Sequence, residues 1–344
     1  MDKWFEVPKE PESNVVYSRV RLVRNWADYP FSGRMTREQS QEMTERLCGG
    51  LKEMKTPDGK ALCILKLQDC PDLEKKALYE RRAINRSLAG KKETAGLLLS
   101  EDERLGISVN GDDHIRIQAV DKGLSLEKCW KTADAADDYI SERFEYCFDE
   151  KYGYLTTFPT NVGTGLRASV IVHLPMLSRK KNFNSLVADM GRFGTTIRGV
   201  YGEGSENCGS LYQVSNQKTL GQTEKEIIDL VGKAAAELDA QERRIRKEAL
   251  REQPLICADE AYKSYGVLKY ARRFAEKDAM KFLSQIMAGM TDGILTTDRP
   301  CSVYGLMLGI QPANLLAGAD RPLNKGELEA VRADFIRNRL PEIH

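Results

Sequence analysis

Histidine is scarce in this chain: three residues in 344, His114, His173 and His344. They are too few and too dispersed for a histidine-based metal site or a Ser/His/Asp triad, so a mechanism built on imidazole is set aside. No Cys-x-x-Cys pair occurs among the scattered cysteines, which read as free thiols used as small core residues in a reducing compartment. A global field is missing as well. Lys+Arg number 52 against 51 Asp+Glu, a formal charge of +1, so nothing draws the whole protein to nucleic acid or to an anionic membrane. No apolar run is long enough to span a bilayer, and the opening Met1-Asp-Lys-Trp-Phe-Glu-Val-Pro lacks the layout of a signal peptide. The expectation is a cytoplasmic protein with neither membrane nor nucleic acid as partner. Finally, there is no G-x-x-x-x-G-K-[ST] and no protein-kinase H-R-D or D-F-G, so the familiar nucleotide motifs are absent.

Arginine on alternating positions is what remains. In Val15-Val-Tyr-Ser-Arg19-Val-Arg21-Leu-Val-Arg24 a strand pattern puts Arg19 and Arg21 on one side and Val20 and Leu22 on the other. Such a pair either flanks an anion or lies on a solvated edge. The stretch Phe158-Pro-Thr-Asn-Val-Gly-Thr-Gly-Leu-Arg167-Ala-Ser-Val-Ile-Val-His-Leu174 opens as a glycine turn able to offer N–H groups to a phosphate, then alternates, with Arg167, Ser169 and His173 sharing a face. Leu105–Val109, Asn110-Gly111 and Asp112–Gln118 form a hairpin pattern in which Asn-Gly is the turn and Asp112, His114, Arg116 and Gln118 share a polar face. Thr195-Thr-Ile-Arg198 runs into the glycine-rich acidic loop Gly199-Val-Tyr-Gly-Glu203-Gly-Ser-Glu206.

Helical periodicity covers 36–55, 69–85, 124–149, Pro175 to Arg192 and 222–251. Beyond Pro254 strands disappear and the patterns 258–273, 278–290, 302–310 and 324–340 are helical. A boundary near Pro254 divides the chain into 1–253 and a small helical domain, 254–344. A sheet face carrying Arg19, Arg21, Arg116, Arg167 and Arg198 costs stability unless a polyanion fills it, and a nucleoside triphosphate with Mg²⁺ is the commonest such ligand.

Taken together, Ser18-Arg-Val-Arg-Leu-Val-Arg-Asn, Asn110-Gly-Asp-Asp-His-Ile-Arg, Pro159-Thr-Asn-Val-Gly-Thr-Gly-Leu-Arg-Ala-Ser, Arg198-Gly-Val-Tyr-Gly-Glu-Gly-Ser-Glu and Ser215-Asn-Gln resemble the phosphagen (guanidino) kinases. Within them, Gln311-Pro-Ala-Asn-Leu and the helical C-terminal part resemble the bacterial protein arginine kinases of the McsB type. The resemblance implies an α+β catalytic domain, an antiparallel sheet flanked by helices, followed by a small all-helical domain. ATP would lie among Arg19, Arg21, Arg116, Arg167 and Arg198 with Mg²⁺ on its phosphates and no metal ligand from the protein. By motif position Ser18, Val20, Ala168, Ser169, Val170, Ile171, Gly199, Val200, Tyr201, Gly202 and Glu203 belong to the same site, and Arg82 stands where the family has a histidine that helps hold adenosine. The γ-phosphoryl would pass in line to a guanidinium of a protein arginine, with Asp112 and one of Glu203 or Glu206 orienting that guanidinium and accepting its proton.

The resemblance further implies partners. These are protein substrates with exposed arginine, a zinc-containing activator of McsA type, a Clp ATPase and a stress-gene repressor, together with a homodimer. Besides Arg82, three positions depart from the family. Phe158 replaces a cysteine, Asp112 replaces a glutamate, and Leu328 replaces the first arginine of a phosphoarginine-binding motif that ends here at Arg332. They leave open an alternative, an ATP-binding adaptor or pseudokinase with weakened catalysis.

Overall fold

The computed structural model describes residues 2–201 and 207–344. In chain order it forms β1 (Val15–Arg24), α1 (Arg37–Gly50), β2 (Cys63–Lys66), α2 (Asp72–Glu80), α3 (Arg86–Gly90), β3 (Gly96–Leu99), β4 (Leu105–Val109), β5 (Ile115–Lys122) and α4 (Leu126–Ser141). There follow β6 (Phe148–Asp149), β7 (Gly153–Tyr154), β8 (Leu166–His173), α5 (Phe183–Arg192), β9 (Thr195–Gly199), β10 (Leu211–Asn216) and α6 (Glu224–Glu252). The remainder is helical: α7 (Pro254–Tyr270), α8 (Glu276–Thr291), α9 (Val303–Gly309), α10 (Pro312–Ala317) and α11 (Lys325–Arg339). Eight strands make one antiparallel sheet in the order β2-β3-β4-β5-β1-β8-β10-β9, and β6 and β7 pair separately.

Period-two patterning decides what each face of the sheet meets. Val20, Leu22, Ile117, Ala119, Leu166, Ala168, Val170 and Val214 are buried together with α1, α4 and α6 in the largest core cluster. The opposite face is covered in two places. On one flank Leu97 and Leu99 pack with Leu78, Ile84 and Leu88 of the α2–α3 region. On the other, Tyr17, Val120, Ile171 and Leu211 join residues of α7, α8, α9 and α11 in a second core. Between the two coverings a strip of the face stays open.

Capping explains several helix starts. Thr36 and Gln39 form a reciprocal capping box on α1, Thr223 and Glu226 on α6, and Asn324 and Glu327 on α11, while Pro254 supplies the first turn of α7. Other elements differ from the periodicity. The helix expected over 124–149 stops at Ser141, because the next residues pair with the chain leaving β1: Ala27 N–H donates to Glu145 O and Cys147 N–H to Asn25 O. The helix expected over 69–85 ends at Glu80, and Arg82 takes a left-handed conformation at φ 67°.

The hairpin also differs from its Asn-Gly signature. Val109 pairs with Ile115, leaving 110–114 as a five-residue loop closed by Asn110 N–H to His114 O at 2.7 Å. The cause is that its side chains have partners outside the hairpin. Asn110 Nδ2 donates to Ser40 Oγ and Thr94 O, Asn25 Nδ2 donates to Asp113 Oδ1, and His114 N–H donates to Asn25 Oδ1. Asp112 and His114 therefore sit on the loop and do not share the strand face of Arg116 and Gln118.

The helical region is bolted to the sheet by buried polar groups. Glu80 accepts from Ala313 N–H, Asn314 N–H and Asn314 Nδ2 at the start of α10. On α6, Arg246 pairs with Asp292 and donates to Asn14 Oδ1, and Glu242 accepts from the N–H groups of Met176 and Leu177. No helix among the described residues is long and apolar enough to cross a membrane.

Two histidines are buried here. Trp26 N–H donates to His114 Nδ1, so the Nε2 proton faces Pro30 O at 2.9 Å, and His173 Nε2 lies 2.7 Å from Ser284 Oγ. Burial pushes the pKa of both down, that of His173 further, with Arg246 and Lys9 adding to it. Below about pH 6.5 the unfolded chain takes up protons at these residues that the folded chain refuses. Stability is therefore lost as pH falls, by up to about 1.4 kcal/mol per pH unit for each histidine. Urea titrations across that window should show a shallower fall for His173→Asn than for wild type, whereas equal slopes would contradict the burial argument. Comparing the two cancels carboxylates such as Glu242, whose raised pKa acts in the opposite sense.

Candidate functional site

The open strip is the floor of a cleft of about 370 Å³ lined by Arg21, Arg116, Arg167, Arg198, Asp112 and Phe158, among others. Register brings the arginines together. Arg21 lies directly across from Arg167 on β8 and from Gln118 on β5, Arg116 is two pairs further along β5 opposite Val23, and Gln213 of β10 is opposite Arg198. Neighbouring strands are about 4.8 Å apart, so Arg21 and Arg167 stand side by side on one face. Arg19, two residues along β1, is buried on the same face, with Nε donating to Ser169 Oγ and Nη2 to Gln213 Oε1.

Charge is unbalanced at this floor. Among the described residues none of Arg21, Arg116, Arg167 and Arg198 forms an ion pair, and the buried Arg21 Nε has no hydrogen-bond partner. Burial, then Arg19, Arg116 and Arg167 in turn, hold the Arg21 pKa well below its usual value. Burial and Arg19 lower that of Arg116 to about 10 against the pull of Asp112 and Asp113, and burial with Arg198 and Arg19 lowers that of Arg167. An arginine does not give up its proton in a protein, so the lowering marks a crowded cationic cluster that an anion would relieve.

One end of the cleft is acidic. Asp112 Oδ2 accepts from Asn85 Nδ2 at 2.9 Å, and Asp112 O accepts from Thr157 Oγ1 at 2.9 Å. Asp113, one residue on, is buried and accepts from Asn25 Nδ2 and Thr157 N–H. The Asp112 loop is thus tied to the segment leading into Phe158. That segment turns through a 3-10 helix, Pro159–Asn161, and reaches β8 through Gly165 at φ 63°, where a Cβ would come within 2.7 Å of Val23 O. Only glycine lets the chain pass there and deliver Arg167 to the floor.

Other residues expected at the site are placed differently. Ser18 faces the helix-covered side, donating to Gly123 O and accepting from Ser125 N–H at the start of α4. Val20, Ala168 and Val170 are buried in the core of that side, so their side chains do not line the cleft. Ile171 is on the arginine face but lies under the helical region. Gly199 ends β9, and Arg82 stacks on Tyr201 with its guanidinium carbon 4.9 Å from the ring centroid and reaches Val200 O. Gly202, Glu203 and Glu206 lie outside the described residues. Arg332 is buried, donating to Ile310 O and Phe274 O, so its guanidinium is engaged by backbone within the helical core. Asn85 and Gln213, which steady Asp112 and Arg19, carry no local sequence signal, because their partners are 27 and 194 residues away.

Two larger cavities, about 490 and 610 Å³, lie where the N-terminal segment meets the helical region. At the second, Lys3 and Arg81 are both paired with Glu103.

Comparison with known proteins agrees with the geometry. Residues 42–245 match the family described as ATP:guanido phosphotransferase, C-terminal catalytic domain, and residues 254–344 match the protein-arginine kinase McsB C-terminal domain. The protein-arginine kinase of Halothermothrix orenii is 38% identical over 332 residues, 96% of this chain and 94% of that protein. That of Bacillus subtilis is 36% identical over 341 residues, 99% of this chain and 93% of the relative. Among solved structures, lombricine kinase superposes with a TM-score of 0.61 at 21% identity, covering 70% of this chain and 69% of that one. The duplicated taurocyamine kinase from Schistosoma mansoni with bound transition state analog components gives 0.61 at 24%, covering 72% and 37%. These two likenesses carry the fold.

The charge imbalance predicts a trade between stability and binding. Arg21→Met should stabilise the free protein by roughly 1–4 kcal/mol by removing one of several crowded cations. It should also abolish most of the rise in thermal midpoint that inorganic tripolyphosphate gives the wild type. An unchanged rise would take Arg21 out of the anion site.

Proposed function

The chain belongs to the ATP:guanido phosphotransferase family, and from that premise we propose that it is a protein-arginine kinase, moving the γ-phosphoryl of ATP to arginine side chains of proteins. The observation that carries this reading is the group of arginines on one sheet face that have no ion-pair partners among the described residues, closed at one end by the anchored Asp112. Phosphoryl transfer asks for little covalent chemistry from a protein. It needs in-line positioning and fixed positive charge where negative charge spreads. Arg21, Arg116, Arg167 and Arg198 supply the charge, and their mutual repulsion is relieved when phosphates enter.

Asp112 has the complementary task. A guanidinium is a poor nucleophile while fully protonated, so a carboxylate must orient it and take its proton. The Asn85 amide holds one oxygen of Asp112 and leaves the other to face the acceptor. Glu203 and Glu206 are proposed, by motif alone, for the second carboxylate. Mg²⁺ would sit on the phosphates, since it keeps waters and binds through substrate oxygens. Bound there it would neutralise phosphate charge beside the arginines. The division into a catalytic part, 1–253, and a helical part, 254–344, belongs to the same reading. So do a zinc-containing activator, delivery of marked proteins to a Clp-type protease, control of a stress-gene repressor and homodimerisation.

Incubation with ATP, Mg²⁺ and an arginine-rich protein should yield acid-labile phosphate on arginine, read by mass spectrometry under neutral conditions. Binding of ATP with no such product, with or without the activator, would favour an adaptor. Arg167→Ala should weaken ATP at least about tenfold, since charge-assisted hydrogen bonds contribute about 1.5–3 kcal/mol each. An unchanged affinity would misplace the phosphate clamp.

A further inference from the structure

The arginines of the cleft repel the very group that the proposed reaction has to bring in. A guanidinium entering beside Asp112 meets Arg21, Arg116, Arg167 and Arg198 as like charges, and the carboxylates of the Asp112–Asp113 loop are outnumbered. A further attraction is needed, and another anion would be drawn to the arginines instead. Phe158 offers one of a different kind. Among the described residues it is the only aromatic side chain lining the cleft, and its ring is half-exposed there. The face of an aromatic ring is negative, so it attracts a cation within about 6 Å of its centroid without taking a proton from it.

Hydrogen bonds fix this ring beside the carboxylate. Thr157, the residue before it, donates its N–H to Asp113 Oδ1 at 2.7 Å and its hydroxyl to Asp112 O at 2.9 Å. Phe158 O accepts from Thr156 Oγ1 at 2.8 Å and from Asn161 N–H at 2.9 Å, and Pro159 starts the 3-10 turn that follows. Ring and carboxylate are thus carried by two segments bonded directly to each other. Among the described residues no arginine or lysine of the chain itself lies over the Phe158 ring, although four arginines line the same cleft. The contact is one that this fold makes elsewhere. The guanidinium carbon of Arg339 is 3.9 Å from the Phe335 centroid, and that of Arg24 is 3.5 Å from the Tyr154 centroid.

We infer that Phe158 is a specificity-determining residue for the acceptor: its ring stacks on the guanidinium of the arginine to be phosphorylated, while Asp112 takes an N–H edge. This deepens the kinase reading and rests on it. Stacking uses the face of a guanidinium and hydrogen bonding its edge, so ring and carboxylate do not compete. With one face on the ring, the other is left for the phosphate. The lone pair of the reacting nitrogen lies perpendicular to the guanidinium plane, so stacking directs it to that free face. From it the N–P bond forms as the N–H proton passes to Asp112 and the bond from phosphorus to the ADP oxygen breaks. An ammonium has no plane for the ring to hold, so the same contact favours arginine over lysine as acceptor.

The test measures binding separately from turnover. Fluorescence anisotropy, with Mg²⁺ and a non-hydrolysable ATP analogue present, reads the Kd of a labelled glycine–serine peptide carrying one arginine, and of the same peptide carrying neutral citrulline. Phe158→Leu, which keeps an apolar side chain, should weaken the arginine peptide about five- to thirtyfold, and Phe158→Trp should bind it at least as tightly as wild type. Mono-, di- and trifluorophenylalanine introduced at position 158 withdraw charge from the ring face at nearly constant shape. They should weaken the arginine peptide stepwise with fluorine number and leave the citrulline peptide unmoved. ATP affinity and thermal midpoint should stay close to wild type throughout. Wild-type strength in Phe158→Leu or a flat fluorine series would make the ring a plain apolar wall and overturn the proposal, as would a wild type that does not bind the arginine peptide. Failure of the kinase reading shows differently, as graded binding with no phosphoarginine formed from ATP by the wild type.

Discussion

Repulsion among guanidinium groups on one sheet face is the constraint around which this molecule is organised. Pairing β1 with β8 places Arg21 beside Arg167, and pairing β1 with β5 adds Arg116 two pairs along. Left to itself such a face would be covered or neutralised by acidic side chains, as Arg24 is by Asp137 a few residues away. Here the packing stops on both sides of the arginines. The α2–α3 layer covers one flank and the helical region the other, so the unpaired charge is confined to a cleft. An anion entering the cleft would relieve that destabilisation, which would link ligand affinity directly to the cost of the crowded charge.

The helical region holds that cost in place. Glu80 grips the start of α10, and the next two residues serve the sheet side: Arg81 pairs with Glu103, and Arg82, in its left-handed conformation, stacks on Tyr201. The far half of α6 binds Asn14 and Asp292 through Arg246. Both contacts use charged groups taken out of water, where removing one partner leaves the other unsatisfied. Such clamps hold one arrangement of sheet and helices and admit few others.

Much of this was legible in the chain. Alternation alone put Arg19 and Arg21 on one side of a strand, and Arg167 and Ser169 on one side of another, because side-chain period in a strand is fixed by covalent geometry. The antiparallel architecture and the helical C-terminal part followed from motif order and from the loss of strand patterns after Pro254. What could not be read was long-range: Asn85 reaching Asp112, Gln213 reaching Arg19, and the five-residue loop that overrides the Asn-Gly signature because Asn25, Ser40 and Thr94 claim its polar groups. Motif position also enrolled Ser18, Val20, Ala168 and Val170 with their arginine neighbours, although pleating turns those side chains to the opposite side.

Trp4 and Phe5 are packed among Tyr17, Tyr304 and neighbouring residues of the helical core, and Phe5 O accepts a bond from Ser302. Residues 4 and 5 thus have permanent neighbours 297 residues further along the chain. Until the helical region docks, these two aromatics lack much of their covering, so a partly folded chain is adhesive there. Docking of the helical region, more than any local folding event, closes this molecule.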